Sequence, residues 1–161
     1  MSTETSQTPH QLAFTSSVGF DQKRIHAAAI YCSDGRFGEA FDEFLMKGLG
    51  LPKVDRVALP GGPAALAGYS QARLAESGVI DELKFLVEAH ELDRVILIQH
   101  GGCAFYKGRL NVREESLEQL QKADLARAAY AVRHAIDVSN IEGYFARPDP
   151  EGIQFEKIEL T

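Results

Sequence analysis

The chain has 161 residues, 45% of them hydrophobic and 25% charged, which is the composition of a single globular domain and excludes fibrous, collagenous and disordered proteins. A chain of this length can bury a core that needs neither a disulfide nor a structural metal. Its 17 basic and 23 acidic residues give a net charge of −6, which argues against nucleic acid and anionic membranes as partners.

No run of residues reaches the about 18 to 20 apolar positions of a membrane span, and the polar N-terminus lacks the basic start and apolar stretch of a secretory signal. We therefore expect no membrane association and a cytoplasmic location. In a reducing compartment, the two cysteines, Cys32 and Cys103, are expected to be thiols or metal ligands rather than a disulfide.

Residues 1–18 are rich in Ser, Thr and Gln, which predicts an N-terminal arm that is flexible or ordered by a partner. Over residues 19–161, apolar runs of strand length alternate with amphipathic stretches of helix length, and this alternation predicts one α/β domain. We expect a mainly parallel central sheet of four or five strands, helices on both of its faces, and a hairpin of the last strands at one edge.

The first half of this domain begins with a continuously apolar strand over residues 25–32, which is typical of a strand covered on both faces. Polar residues follow, and then a helix is predicted over residues 39–48. A second strand, over residues 55–60, runs directly into Gly61 and Gly62.

The middle of the chain is helical before the third strand. Helical sequence resumes over residues 64–76, and Gly78 predicts a break before a further helical stretch over residues 79–90. This stretch leads into a strand over residues 94–99, which is followed by the segment 100–108, His-Gly-Gly-Cys-Ala-Phe-Tyr-Lys-Gly.

The last part of the chain predicts a long helix and two short strands. Asn111 is expected to cap the helix, with Glu114 reaching back to it, and the helix is expected to reach Ile136. Strands are predicted over residues 143–147 and 153–160, joined by a turn rich in Pro, Asp and Gly.

Reactive side chains follow two of the predicted strands at their carboxyl ends, where open α/β sheets bind their ligands. Cys32 ends the first strand, and His100 and Cys103 follow the third. Two thiolates and one imidazole are ligands that zinc prefers, and three protein ligands leave the fourth tetrahedral position open, as in catalytic sites. Either cysteine alone could be an inert buried hydrophobe, and a redox pair is disfavoured because the two are not in a Cys-x-x-Cys motif. Together with the histidine, they predict a Zn²⁺ site.

Asp34 and Arg36 lie directly after the first cysteine. Asp34 is a possible fourth ligand of the metal, and Arg36 could hold this carboxylate in a bidentate ion pair that directs it away from the metal. Alone, such a pair could simply fix a turn. Beside a zinc site, a catalytic role is the favoured interpretation.

The segments 32–36 (Cys-Ser-Asp-Gly-Arg) and 100–103 (His-Gly-Gly-Cys) resemble the Cys-x-Asp-x-Arg and His-x-x-Cys motifs of the β-class carbonic anhydrases. The resemblance covers roughly residues 25–160, including the helix and strand that lead into the histidine.

This resemblance implies a role for each matching residue. It makes Cys32, His100 and Cys103 the zinc ligands, Asp34 and Arg36 the catalytic dyad, and Gly61 and Gly62 part of the active-site loop beside the substrate pocket. The implied working unit is a homodimer or a larger homo-oligomer.

The implied activity is that of a zinc lyase of the carbonate dehydratase type, which hydrates carbon dioxide to bicarbonate by a zinc-bound hydroxide. The chain departs from the family at two places. Gly101 and Ala104 replace a small hydroxyl residue and a glycine, and the apolar segment 58–60 (Ala-Leu-Pro) replaces Arg and Asn before the glycine loop. These departures concern the handling of the small-molecule substrate and leave the predicted metal ligands unchanged.

Two other functions stay open from the sequence. The apolar segment 58–60 would suit a zinc hydrolase that acts on a linear analogue of carbon dioxide, such as carbonyl sulfide or carbon disulfide. If Asp34 were a permanent fourth ligand, the zinc site would be closed and the protein would be a non-catalytic relative of the carbonic anhydrases.

Overall fold

The computed structural model describes residues 11–161, so residues 1–10 of the predicted arm lie outside the described residues. Residues 11–18 belong to no helix or strand, and all of them are exposed. The flexibility of the arm, its ordering by a partner and the domain boundary at residue 19 stay predictions.

In the described part of the chain, five strands form one sheet. Their bounds are Ala27–Cys32 (β1), Asp55–Leu59 (β2), Arg94–His100 (β3), Asn140–Asp149 (β4) and Gly152–Ile158 (β5). The strand order is β2-β1-β3-β4-β5, with the first four strands parallel and β5 antiparallel to β4. The β4–β5 pair is the predicted edge hairpin, and the mainly parallel sheet confirms the predicted fold class.

Three α-helices are found within residues 11–161, and their bounds are Gly38–Glu43 (α1), Arg73–His90 (α2) and Glu114–Ala135 (α3). α1 continues into a π-helical turn over Phe44–Gly48, and a second π-helical turn spans Phe105–Arg109. Two 3-10 turns, Gly62–Leu66 and Ser70–Ala72, lie between β2 and α2. None of these described helices has the length and hydropathy needed to span a lipid bilayer.

Helices cover both faces of the sheet, as predicted. Alternate residues of a strand point to opposite faces. α2 and α3 pack on the face that carries Ile30 and Leu97, whereas α1 and its π-helical turn pack on the face that carries Tyr31 and Ile98. All six residues of β1 are buried, which explains why this strand is continuously apolar in sequence.

The direction of strand addition reverses beside β1. The chain first adds β2 on one side of β1 and then crosses over β1 to add β3 on its other side. Because both crossovers of parallel strands are expected to be right-handed, helices that connect strands in opposite directions lie on opposite faces. Such a reversal opens a crevice beyond the carboxyl ends of the two strands that flank it, here β1 and β3.

Two local predictions between β2 and β3 are wrong. The helix expected over residues 64–76 is replaced by the two 3-10 turns, because Gly68 has a φ of 88°, which an α-helix does not accommodate. The break expected near Gly78 is also wrong, since α2 runs through this residue. An exposed glycine in a helix costs only about 1 kcal/mol, and the core packing of Val79 and Leu83 outweighs it.

The cap predicted for the last helix is wrong as well. α3 begins at Glu114, preceded by Arg113 in an extended conformation, and Asn111 has a φ of 53°. Glu114 forms an ion pair with Lys107 at 2.7 Å. Asparagine tolerates the left-handed conformation better than most residues. Asn111 therefore forms part of the turn before α3 and does not cap the first N–H groups of the helix. The helix ends at Ala135, one residue before the predicted end.

Gly62 is a position where the fold should not tolerate a side chain. It begins a 3-10 turn that packs against the end of β1, and its φ is 49°. A Cβ atom there would lie 2.6 Å from the carbonyl carbon of Tyr31 and 2.7 Å from the backbone nitrogen of Cys32. We expect Gly62→Ala to lower the free energy of unfolding by about 2–4 kcal/mol, since strain and overpacking add. Urea unfolding of the metal-free protein measures this loss.

The control is Gly78→Ala, where a Cβ atom meets open space on a helix. This substitution should raise the free energy of unfolding by about 0.5–1 kcal/mol, because alanine has the higher helix propensity. Equal effects of the two substitutions would contradict the role given to Gly62.

Candidate metal centre

The candidate metal centre lies where β1 and β3 end. These strands pair in parallel, so Cys32, the last residue of β1, lies beside the last residues of β3. His100 ends β3, and a tight turn follows in which Gly102 has a φ of 69°. This turn brings Cys103 back toward the crevice.

The ligand atoms of Cys32, His100 and Cys103 all lie within 4.8 Å of one another, and the three residues are buried. The two Sγ atoms are 3.9 Å apart. Two sulfurs bound to one ion at about 2.3 Å with tetrahedral angles would lie about 3.8 Å apart, so the observed spacing fits a shared ion. The structure therefore brings together the three side chains that the sequence predicts to converge.

Two contacts orient the imidazole of His100. Nδ1 lies 2.9 Å from the backbone oxygen of Gly101, which makes Nδ1 the protonated nitrogen and leaves the lone pair of Nε2 free. The ring of Phe37 packs on the imidazole with the ring centroids 4.2 Å apart. Nε2 is buried and has no hydrogen-bond partner among the described residues. A metal ion held together with the two sulfurs would satisfy this nitrogen.

The two thiols contact each other and titrate as a pair. The hydrogen bond from Cys103 lowers the pKa of Cys32 well below its usual range, and burial opposes this shift. The same contact raises the pKa of Cys103, which stays the donor. Their mutual contact therefore favours the thiolate form of Cys32, and a divalent ion would stabilise both thiols in that form.

Asp34 uses both carboxylate oxygens to bind Arg36. The backbone N–H and Nε of Arg36 donate to Oδ1 at 3.0 and 2.9 Å, and Nη2 donates to Oδ2 at 2.6 Å. These hydrogen bonds lower the pKa of Asp34 to about 2, although its side chain is only 15% exposed. Within residues 11–161, Asp34 does not belong to the group of converging ligand atoms. The ion pair thus holds an ionised carboxylate two residues after Cys32.

Gly61 and Gly62 are buried at the end of β2, where the loop approaches the segment after Cys103. A Cβ atom on Gly61 would meet the ring of Phe105 at 2.6 Å. A shallow cavity of about 480 Å³ opens beside this loop and is lined by Pro60, Ala104, Phe105, Gly108 and Arg109. The two glycines are not among these lining residues, so their pocket role stays a prediction. A larger cavity of about 650 Å³ between α2 and α3 is not lined by the candidate ligands and belongs to a different part of the molecule.

Sequence reasoning missed several residues that surround the candidate ligands. Phe37 contacts the imidazole, and nothing in its sequence context indicates that contact. Gln121 and Asp124 are buried polar residues on the face of α3 that also carries Leu117 and Leu125. A polar residue on an apolar helix face is a recognisable signal. The alternating charges along this helix indicate a solvated face, and they make the buried face harder to recognise in the sequence.

Fold and site together define an α/β protein with a candidate metal centre at the reversal point of a parallel sheet. A family model described as "Putative carbonic anhydrase" matches residues 22–158. The chain belongs to this carbonic anhydrase family.

Two solved structures share the fold. The β-carbonic anhydrase isoform I (TvaCA1) of the protozoan Trichomonas vaginalis is 12% identical, with a TM-score of 0.57 over 87% of each chain. The β-carbonic anhydrase CafA of the fungal pathogen Aspergillus fumigatus is 15% identical, with a TM-score of 0.52 over 86% of this chain and 77% of that chain. No curated protein matches the chain. The resemblance to the β-class carbonic anhydrases inferred from the sequence is confirmed.

We expect His100→Asn to weaken Zn²⁺ binding by more than about 100-fold, because it removes a candidate ligand rather than an outer partner of one. Cys103→Ser should lose the metal for the same reason. The matched control is His134→Asn, since Nδ1 of His134 also lies near a backbone oxygen, that of Tyr130 at 2.8 Å, but its ring is exposed on α3. Zinc analysis after dialysis against a chelator measures occupancy, and equal metal content in wild type and Cys103→Ser would refute the ligand assignment.

In the metal-free protein, we expect Asp34 to stay ionised down to about pH 3, because its pKa lies near 2. Arg36→Ala should return this pKa toward the ordinary value of 3.8. Because folding lowers the pKa, the stabilisation by the ion pair is present above pH 4 and is lost as the pH falls toward 2. Carbon-13 NMR of the Asp34 carboxyl follows the titration, and a wild-type midpoint near 4 would contradict the ion pair.

Proposed function

We propose that this chain is a zinc-dependent enzyme that hydrates carbon dioxide to bicarbonate. The observation that carries this proposal is the convergence of two sulfurs and an unpaired imidazole nitrogen beside an ion-paired aspartate. Membership of the carbonic anhydrase family supports the proposal. The two structures with the same fold are described as β-carbonic anhydrases, which is consistent with it.

Cys32, His100 and Cys103 would hold the zinc ion. Two thiolates and one imidazole suit Zn²⁺ and disfavour Mg²⁺, Ca²⁺ and Mn²⁺. The Sγ spacing and the unpaired Nε2 fit an ion with three protein ligands, which leaves one coordination position for the reaction. A bound zinc ion supplies Lewis-acid activation of water near neutral pH.

Asp34 would orient the reacting water, and Arg36 would keep the carboxylate in place. Oδ1 already accepts two hydrogen bonds from Arg36, whereas Oδ2 accepts one. A carboxylate oxygen can accept two, so one position on Oδ2 is available to the water. Because the pKa of Asp34 is about 2, the carboxylate does not keep a proton at neutral pH, and the proton released in hydration passes to solvent.

The same ion pair supports an open site over a closed one. Binding to the metal as a fourth ligand would cost Asp34 part of its attraction to Arg36, because the ion would compete with the guanidinium for the same carboxylate. This cost favours the catalytic interpretation over the non-catalytic one. It also gives Arg36 a role in catalysis that does not involve binding the metal.

The shallow cavity beside the glycine loop suits a small uncharged substrate. Three of its lining residues, Pro60, Ala104 and Phe105, are apolar, and the lining residue Arg109 packs its guanidinium over the Phe105 ring at 5.3 Å. Carbon dioxide is linear and has no net dipole, so it can occupy such a surface without losing hydrogen bonds.

A second candidate function is the hydrolysis of a linear analogue such as carbonyl sulfide or carbon disulfide. The apolar residues Pro60, Ala104 and Phe105 suit such an uncharged substrate. Arg109 lines the same cavity and can donate hydrogen bonds to the charged oxygens of bicarbonate, which supports the first candidate.

We also propose that the working unit is a homodimer or larger homo-oligomer, as the family resemblance implies. Large hydrophobic side chains in and directly after the arm are between 71% and 90% exposed, namely those of Leu12, Phe14, Val18 and Phe20. Exposed apolar side chains in a continuous segment favour contact with another protein surface. The cytoplasmic location stays a prediction from the sequence.

In the zinc-loaded protein, we expect Arg36→Ala to keep its metal and to reduce the kcat for CO₂ hydration by about 10- to 100-fold, because Asp34 loses its partner. The matched control is Arg147→Ala on β4, which removes a bidentate surface pair with Glu118 on α3. Stopped-flow hydration and zinc analysis of each variant give the two readouts. Equal hydration rates in the two variants would contradict a role for Arg36 in the mechanism.

The same zinc-loaded wild type separates the candidate functions. Faster hydration of CO₂ than sulfide release from carbonyl sulfide or carbon disulfide would support the carbonic anhydrase. The reverse order of rates would support the second candidate. Full zinc occupancy without turnover of any of these substrates would support the closed, non-catalytic site.

A further inference from the structure

A buried polar network lies behind the candidate metal centre and is centred on Asp124 of α3, which is fully buried. The hydroxyls of Tyr69 and Tyr106 both donate to its Oδ2, at 2.7 and 2.8 Å. Nη1 of Arg127 binds Oδ1 at 2.5 Å. Burial and the Asp124 carboxylate both raise the pKa of Tyr106, so its hydroxyl stays a donor.

Tyr106 connects this network to Cys103. Tyr106 lies in the π-helical turn that follows the cysteine, and Cys103 and Tyr106 belong to the same buried cluster. The side chain of Tyr106 is fully buried. Holding its hydroxyl therefore restricts the segment that follows Cys103.

The same hydroxyl is tied to the histidine side of the centre. Nε2 of Gln99 donates to the Tyr106 oxygen at 2.9 Å, and Gln99 immediately precedes His100 on β3. One turn before Asp124, Gln121 donates from Nε2 to the backbone oxygen of His100 at 2.7 Å. α3 thus holds the backbone of His100 through Gln121 and the segment after Cys103 through Asp124.

We propose that Asp124 is a positioning residue of the metal centre, which fixes the Cys103 sulfur relative to His100 by holding the Tyr106 hydroxyl. This inference rests on the proposed function, because it takes the three converging side chains as metal ligands. Asp124 contacts none of the ligand atoms and acts through Tyr106 alone.

The burial of the Asp124 carboxylate is poorly explained by stability alone. A buried carboxylate loses its hydration, and its cationic partner among residues 11–161, the Arg127 side chain, is 55% exposed. An apolar residue of similar volume at position 124 would avoid this cost. What an apolar residue would not provide is a fixed acceptor for the Tyr106 hydroxyl at the end of the metal loop.

The two tyrosines provide a matched pair of variants. Tyr106→Phe and Tyr69→Phe each remove one hydroxyl from the same Asp124 oxygen, and each should lower the melting temperature of the metal-free protein by roughly 5 °C. Of the two tyrosines, only Tyr106 also binds Gln99 and lies in the turn that follows Cys103. Tyr106→Phe should therefore weaken Co²⁺ binding about 10-fold, whereas Tyr69→Phe should weaken it by less than about 3-fold.

The experiment is a Co²⁺ titration of the full-length metal-free chain, followed by thiolate-to-metal charge-transfer absorption. We expect Tyr106→Phe to change both the affinity and the absorption maximum, and Tyr69→Phe to keep the wild-type maximum. Asp124→Leu, which keeps a similar side-chain volume but removes the acceptor, should reproduce the Tyr106→Phe result and serves if that variant does not fold.

Wild-type affinity and absorption in both Tyr106→Phe and Asp124→Leu would overturn the inference. Equal losses of affinity in the two tyrosine variants would also overturn it, because general loosening would then suffice. Failure of the wild type to bind Co²⁺ with charge-transfer absorption would instead refute the metal centre itself, and with it the proposed function.

Discussion

The parallel pairing of β1 with β3 is the constraint on which the candidate centre depends. It sets Cys32 beside the end of the strand that carries His100. The turn at Gly102 then brings Cys103, three residues after His100, back to the same place. The hydrogen bonds of a parallel pair fix this register. If β1 and β3 were not neighbours, Cys32 would be separated from His100 and Cys103, whatever their sequence motifs.

Two aspartates near this centre illustrate how environment assigns different tasks to one side chain. Asp34 lies at the rim with Arg36, which keeps it ionised and leaves one acceptor position free for a reacting molecule. Asp124 is enclosed by tyrosine hydroxyls and Arg127, and its oxygens face protein groups. The first carboxylate is suited to chemistry, and the second to holding a loop in place.

The sequence predicts the strands better than the connections between them. Covered parallel strands are continuously apolar, and this pattern survives in β1 and β3. The helix expected over residues 64–76 fails at Gly68, and Gly78 does not interrupt α2. Glycine disfavours a helix at both positions, but the packing of the neighbouring residues decides whether the helix continues through it.

By itself, the sequence determined the fold class, the residue types of the candidate centre and the family resemblance, because apolar periodicity and ligand chemistry are properties of short segments. Only the tertiary structure decided that β3 adds beside β1, that Nε2 of His100 is left unpaired, and that Gln121 and Asp124 of α3 lie behind the ligands. These features depend on contacts between segments that are distant in sequence. Local patterns do not encode which of the possible strand orders and helix faces will be in contact.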